Sequence, residues 1–291
     1  MAKSCHEDKN SPILPLHPLN PGRSDGPLKA LEKENSYQLD STVGSDYTAI
    51  LLAAGYGSRI SGMTDAPKCL LKLNDATLLE HHLNSWRKAG IRKVNLVLGY
   101  KSDDVRAVAE KHGADFDFTF SLNEEYKCLG NAYSFLVGLK DCSGPILIFD
   151  ADLIYEQEIL EDFIKDQGPS QILTGEGKLV DEECSKVLLD ESKFVRKIVD
   201  KRLITEDELS QFFFAGEALG ILKFSDNHRV SLARHAEKFL SKEGNLILNW
   251  EHLMNEFLPL NDVSVHQSAN DKWIEIDTPE DFKDAQRIFE S

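Results

Sequence analysis

The chain has 291 residues, 41% hydrophobic and 28% charged, which suits a globular protein with one large α/β domain and a tail, or two small domains. A formal net charge of −16 argues against nonspecific nucleic-acid binding, which needs a basic face to displace counterions. No apolar run spans a bilayer, the polar Met1–Asn10 start does not read as a secretory signal, and five scattered cysteines without a CxxC pair suit reduced thiols. The expectation is a cytoplasmic protein with no membrane or nucleic-acid partner.

Residues 1–45 read as a disordered N-terminal tail. Pro12, Pro15, Pro18, Pro21 and Pro27 interrupt them, and no sustained apolar period offsets the entropy of ordering them. A short helix around Pro27–Glu34 is the one element their pattern offers. Residues 46–291 read as a single domain. Tyr47–Ala53 is an apolar run ending at Gly55, the pattern of a buried strand feeding a loop. Thr77–Ala89 carries Leu78, Leu79, His82, Leu83 and Trp86 at helical spacing and stops at Gly90. Val94–Leu98, Phe116–Phe120 and Ile146–Phe149 read as strands, with helices over Asp103–His112 and Asn131–Leu139 between them. This alternation predicts an α/β fold with a mostly parallel sheet covered on both faces.

After Asp152 the pattern changes. Strands are expected over Gln171–Thr174, Ser185–Asp190, Phe194–Val199, within Phe212–Phe224, and over Trp273–Ile276. Helices are expected over Val230–Leu240, Leu248–Leu258 and Pro279–Phe289, the last with proline in its first turn. This half reads as a second lobe built onto the same sheet.

The first strand runs into Leu52-Ala53-Ala54-Gly55-Tyr56-Gly57-Ser58-Arg59, and Pro67-Lys68 follows. Small residues and two glycines let backbone N–H groups approach a polyanion, and Arg59 adds a planar positive charge. The Walker pattern is absent, and Ile60 stands where a dinucleotide fingerprint needs its third glycine, which disfavours a dehydrogenase. A bare GxG is equally a tight turn. Ile146-Leu147-Ile148-Phe149-Asp150-Ala151-Asp152 is an apolar strand ending in DxD, at the carboxyl end where ligands bind in open α/β sheets. Asp150 and Asp152 share a face if the strand is regular, although a helix cap is the plainer alternative. Asp277, before Thr278-Pro279, is either a second site carboxylate or the start of the last helix.

The full string LAAGxGxR followed by PK resembles the nucleotide-binding loop of the sugar-phosphate nucleotidyltransferase superfamily, and the resemblance covers roughly Tyr47 to Phe289. That superfamily includes cytidylyltransferases acting on phosphocholine and on aminoethylphosphonate. The resemblance implies a Rossmann-like three-layer fold with an acceptor-binding lobe. It implies a loop wrapped around a nucleoside triphosphate and a charge-neutralising role for Lys68 beside Arg59. It also implies that Asp152 and Asp277 hold Mg²⁺, with Asp150 a neighbour of the ribose or of the metal ligands. Asn123, Asn131 and Ser134, in the CLGNAYSF region, would approach the nucleotide. Leu52 to Gly55 would meet the base, and the nucleotide would be CTP. Ile60 and Met63 depart from the family's usual residues, and Cys69 follows the lysine.

The chemistry explains the groups. An acceptor phosphate attacks the α-phosphorus and pyrophosphate leaves. Both reactants are anions, so a metal and a lysine must neutralise charge, and an already ionised phosphate needs no general base. Hard oxygen ligands match Mg²⁺, and no His/Cys cluster suggests zinc. Glu217, Trp250, Glu251 and Trp273 combine carboxylates with aromatic faces, a set that would receive an amine or quaternary ammonium. The plainer alternatives are core tryptophans and a first-turn helix acid. Lys186 would contact the acceptor's phosphate or simply face solvent on a hairpin. A sugar-1-phosphate nucleotidyltransferase and a catalytically inactive nucleotide-binding regulator are the competing readings, and any of the three is compatible with a homo-oligomer.

Overall fold

A computed structural model of the chain describes residues 44–57, 62 and 65–290. The expected tail, its helix around Pro27–Glu34, and the loop residues Ser58, Arg59, Ile60 and Met63 lie outside the described residues.

Strand β1 (Thr48–Ala53) leads to a 3-10 turn at Lys68–Leu70 and a small hairpin, β2 (Lys72–Leu73) and β3 (Ala76–Thr77). Helix α1 (Leu78–Lys88) starts there because the Thr77 hydroxyl accepts the Glu80 N–H while Glu80 reaches back to the Thr77 N–H. Next come β4 (Lys93–Leu98), α2 (Ser102–His112), β5 (Asp117–Leu122), α3 (Asn131–Lys140), β6 (Ile146–Asp150), β7 (Leu153–Tyr155) and α4 (Gln157–Lys165). The second lobe contains β8 (Gln171–Gly175), β9 (Lys186–Leu189), β10 (Val195–Val199), α5 (Glu206–Gln211), β11 (Phe213–Phe224), α6 (Asp226–Leu240), α7 (Trp250–Phe257), β12 (Ser264–Gln267), β13 (Trp273–Glu275) and α8 (Pro279–Ile288). Within the described residues, the expected elements are present to within a few residues. Helices α4 and α5, the hairpin β2–β3 and strands β7 and β12 lie beyond the expected set.

Nine strands join in one sheet among the described residues. β1 pairs in parallel with β4 and β6, and β4 with β5. β11 runs antiparallel to β6, β8 and β9. β12 is parallel to β8, and β10 is antiparallel to β9. Seven strands therefore run one way, and only β10 and β11 oppose them, so the sheet is mostly parallel as expected.

The alternation along β1 builds both cores. Ala49, Leu51 and Ala53 point to one face, where they meet Leu79, Leu83 and Trp86 of α1 and Leu160 and Phe163 of α4. Ile50 points to the other, against Phe135 and Leu139 of α3, Phe239 of α6 and Phe257 of α7. The result is a three-layer helix–sheet–helix sandwich. A third, smaller cluster packs Leu73, Leu78, Ile154, Ile276 and Ala285 together, and it ties the hairpin and α8 to the strand pair β7–β13. No helix among the described residues is long and apolar enough to cross a membrane.

Candidate active site

The carboxyl ends of β1 and β6 open onto a cleft of about 320 Å³, closed on the far side by the second lobe. Leu52, Ala53, Gly55 and Gly57 of the glycine-rich loop line it, and Gly57 has φ 66, a left-handed value that glycine adopts without a Cβ penalty. Ala54 lies buried behind the wall, where its carbonyl accepts the Tyr100 N–H at 3.1 Å. Tyr56 points outward and meets the Tyr100 ring edge-on at 4.6 Å.

Lys68 stands at the centre. Pro67 fixes an extended entry, and the buried Cys69 anchors the 3-10 turn beneath. Burial pushes the Cys69 thiol up to about 12, so its presence after the lysine adds no reactive group. The Lys68 ammonium donates to Asp152 Oδ2 and to Asp277 Oδ1, each at 2.6 Å. Burial pulls its pKa down, but the two carboxylates outweigh that and hold it above the ordinary lysine value.

The carboxylates arrive from separate places. β6 ends at Asp150, and the turn Ala151–Asp152 carries the second aspartate into the cleft. Asp277 does not cap α8. Thr278 takes that role, exchanging hydrogen bonds with Asp281, and the Asp277 side chain is left for Lys68 and for Lys201 at 3.3 Å. Asp152, Glu275 and Asp277 each place a carboxylate oxygen within 4.8 Å of the others, and Asp152 Oδ1 is buried with no hydrogen-bond partner. A buried carboxylate oxygen without a donor, facing two more hard oxygens, fits a divalent cation of the Mg²⁺ type.

Asp150 is held against Gly220. That glycine has φ 70, and a Cβ there would come within 2.6 Å of Asp150 Oδ2. Burial, then the charges of Asp152, Glu275 and Glu251, raise the Asp150 carboxyl well above its usual range, against the pull of Lys68. Across the cleft stand Glu183, Asp200, Glu217 and Glu251. Burial and then Asp200 push Glu251 up to about 7, with Lys201 opposing. Burial and then Asp181 raise Glu217, with Lys186 opposing. Eight carboxylates thus face the cleft among its described residues, with Lys68 and Lys201 as the facing ammonium groups.

Several expected residues sit elsewhere. Lys186 is fully buried, and its ammonium donates to the carbonyls of Cys184 at 3.1 Å and Arg202 at 3.0 Å. The register of β9 turns it inward, away from solvent and outside the cleft lining. Asn123 and Ser134 bond each other at 2.9 Å beneath the surface, outside the cleft lining. Asn131 does line the cleft, and its Oδ1 accepts the Trp250 N–H at 2.7 Å, tying the start of α3 to the start of α7. Trp250 reaches the lining but is 3% exposed, its ring stacked on Phe135 at 6.4 Å. Trp273 lies against Gly175 in an adjoining recess. Sequence reasoning missed Lys201, Asp200 and Glu183, which belong to no motif. Glu275 was missed as well, although it stands two residues before Asp277 just as Asp150 stands before Asp152.

Residues 49–176 match the MobA-like NTP transferase domain. The choline-phosphate cytidylyltransferase of Streptococcus pneumoniae is 24% identical over 252 residues, covering 84% of this chain and 98% of the relative. The bifunctional protein GlmU of Clostridium botulinum is 32% identical over 168 residues, 55% of this chain but 35% of GlmU, so the chain spans about a third of that relative. The solved structure of the CTP:phosphocholine cytidylyltransferase from Streptococcus pneumoniae has the same fold, with a TM-score of 0.65 at 21% identity over 83% of this chain and 98% of that one. Over residues 49–176 the chain is thus similar to NTP transferase domains, and its similarity to a cytidylyltransferase extends over most of its length.

Proposed function

We propose that this protein transfers CMP from CTP to a small phosphate or phosphonate acceptor bearing an amine, releasing pyrophosphate. The observation that carries the reading is the Lys68 ammonium held between Asp152 and Asp277 beside a glycine-rich loop. The acceptor's ionised oxygen forms a bond to the α-phosphorus as the bond to pyrophosphate breaks, and no proton needs removal. Lys68 is fixed where charge must be offset while two anions approach. Asp152 and Asp277, with Glu275 beside them, would hold Mg²⁺, which supplies further neutralisation of the phosphates. The choice of cytidine is supported by the relative named as a choline-phosphate cytidylyltransferase, whose length the chain spans almost fully. An amine on the acceptor is supported by the carboxylates of the second lobe, since an acidic wall repels a purely anionic substrate.

The test is pyrophosphate release with Mg²⁺, pairing each nucleoside triphosphate with phosphocholine, phosphoethanolamine, 2-aminoethylphosphonate and several sugar 1-phosphates. Release with CTP and an amine-bearing acceptor, abolished by EDTA, is the expected result. Release only with a sugar phosphate moves the assignment to a sugar-1-phosphate nucleotidyltransferase. No release with any pair defeats the proposal.

A further inference from the structure

The second lobe's wall of the cleft separates two kinds of amine. A quaternary ammonium has no N–H to donate and is held by aromatic faces. A primary ammonium brings three donors and needs acceptors. Among the described residues lining the cleft, the aromatic ring is that of Trp250, and it is buried and spent on stacking with Phe135. The Trp273 indole is turned against Gly175, where a Cβ would touch it at 2.7 Å. Acceptors, by contrast, are in excess. Glu251, in the first turn of α7, lines the cleft with Oε2 buried and without any hydrogen-bond partner. Asp200 acts on it electrostatically, and Glu217 stands on the same wall. A buried acceptor without a donor is costly, so an unmet carboxylate oxygen in a substrate cleft marks the place of a ligand N–H.

Resting on the acceptor reading above, we infer that Glu251, with Asp200 and Glu217, forms a subsite for a primary ammonium group and discriminates against its trimethylated counterpart. Trimethylation would put methyl groups against Glu251 Oε2 and leave that oxygen desolvated and unpaired. Losing a hydrogen bond to a charged group corresponds to roughly a tenfold or greater loss of affinity.

Calorimetric titration of the full-length protein tests this. The ligands are phosphoethanolamine, phosphocholine and ethyl phosphate, each with and without a saturating, unreactive α,β-methylene analogue of CTP. Phosphoethanolamine is expected to bind at least about tenfold more tightly than the other two. Glu251→Gln and Asp200→Asn are expected to shrink that margin to about twofold, and thermal melts check that each variant is folded. Equal affinity for the two amines, preference for phosphocholine, a margin that survives both substitutions, or no binding of any of the three overturns the inference. The wild-type ligand series decides even if a variant fails to fold. Failure of the nucleotidyl-transfer reading looks different: the CTP analogue would not bind and no pyrophosphate would be released, while the order of the amines would stand.

Discussion

The first half of the domain and the second lobe build their shares of the cleft in opposite ways. In the first half, one loop and one strand end deliver consecutive groups: Leu52 to Gly57 from β1, and Asp150 and Asp152 from β6, side by side because the two strands pair in parallel. In the second lobe, each contributor comes from a different element: Asp200 after β10, Glu217 from β11, Glu251 from α7, and Glu275 and Asp277 at the end of β13. Lys68 and Lys186 make the same contrast within one residue type. Lys68 is enclosed by carboxylates, whereas Lys186 is enclosed by backbone carbonyls. What surrounds an ammonium, rather than its burial, separates the lysine of the proposed chemistry from one that serves the fold.

That contrast can be broken by two substitutions. Lys68→Ala is expected to lower turnover by about a hundred- to a thousandfold, the scale for removing one donor that offsets developing charge, while the protein stays folded. Pyrophosphate release and circular dichroism check it, and normal turnover would remove Lys68 from the chemistry. Lys186→Met is expected to do the reverse. It strands two buried carbonyls, so stability should fall by roughly 1–3 kcal/mol for each in urea unfolding, with CTP affinity unchanged in the folded fraction. A variant of wild-type stability that fails to bind the acceptor would return Lys186 to the acceptor site.

The same difference explains what was legible in the sequence. The loop, Lys68 and the aspartates are read from contiguous strings, because a turn that wraps phosphate must be made of neighbouring residues. The parallel core is legible because strands buried on both faces, such as Thr48–Ala53, are nearly continuous apolar runs. Lys201 and Asp200 follow an ordinary strand, and they matter because Lys201, at φ 43, directs its ammonium to Asp277, 76 residues away in sequence, while Asp200 acts on Glu251. Lys186 misled because alternation assigns a residue to a face without saying whether that face is covered. Trp250 and Trp273 misled for a related reason: their spacing fits a helix start and a strand, but ring partners such as Phe135 are known only after folding.

The smallest expected effect sharpens the comparison from the side of stability. Glu251 has its carboxyl raised from 4.5 to about 7 by burial and by Asp200. A raised carboxylate pKa means that the folded protein holds this proton more tightly than the unfolded chain does. The group's contribution to stability therefore falls as pH climbs from about 4.5 to about 7, and the full cost is present above that window. Glu251→Gln removes the titration. It should leave stability near wild type at pH 4.5 and raise it at pH 8, an effect urea midpoints at the two values can resolve. A residue that destabilises the free protein when ionised fits the proposed role, in which its ligand supplies the compensating charge. If Glu251→Gln instead lowered stability at pH 8, the carboxylate would be part of the fold, as Lys186 is, and the second lobe would lose its strongest claim to the acceptor.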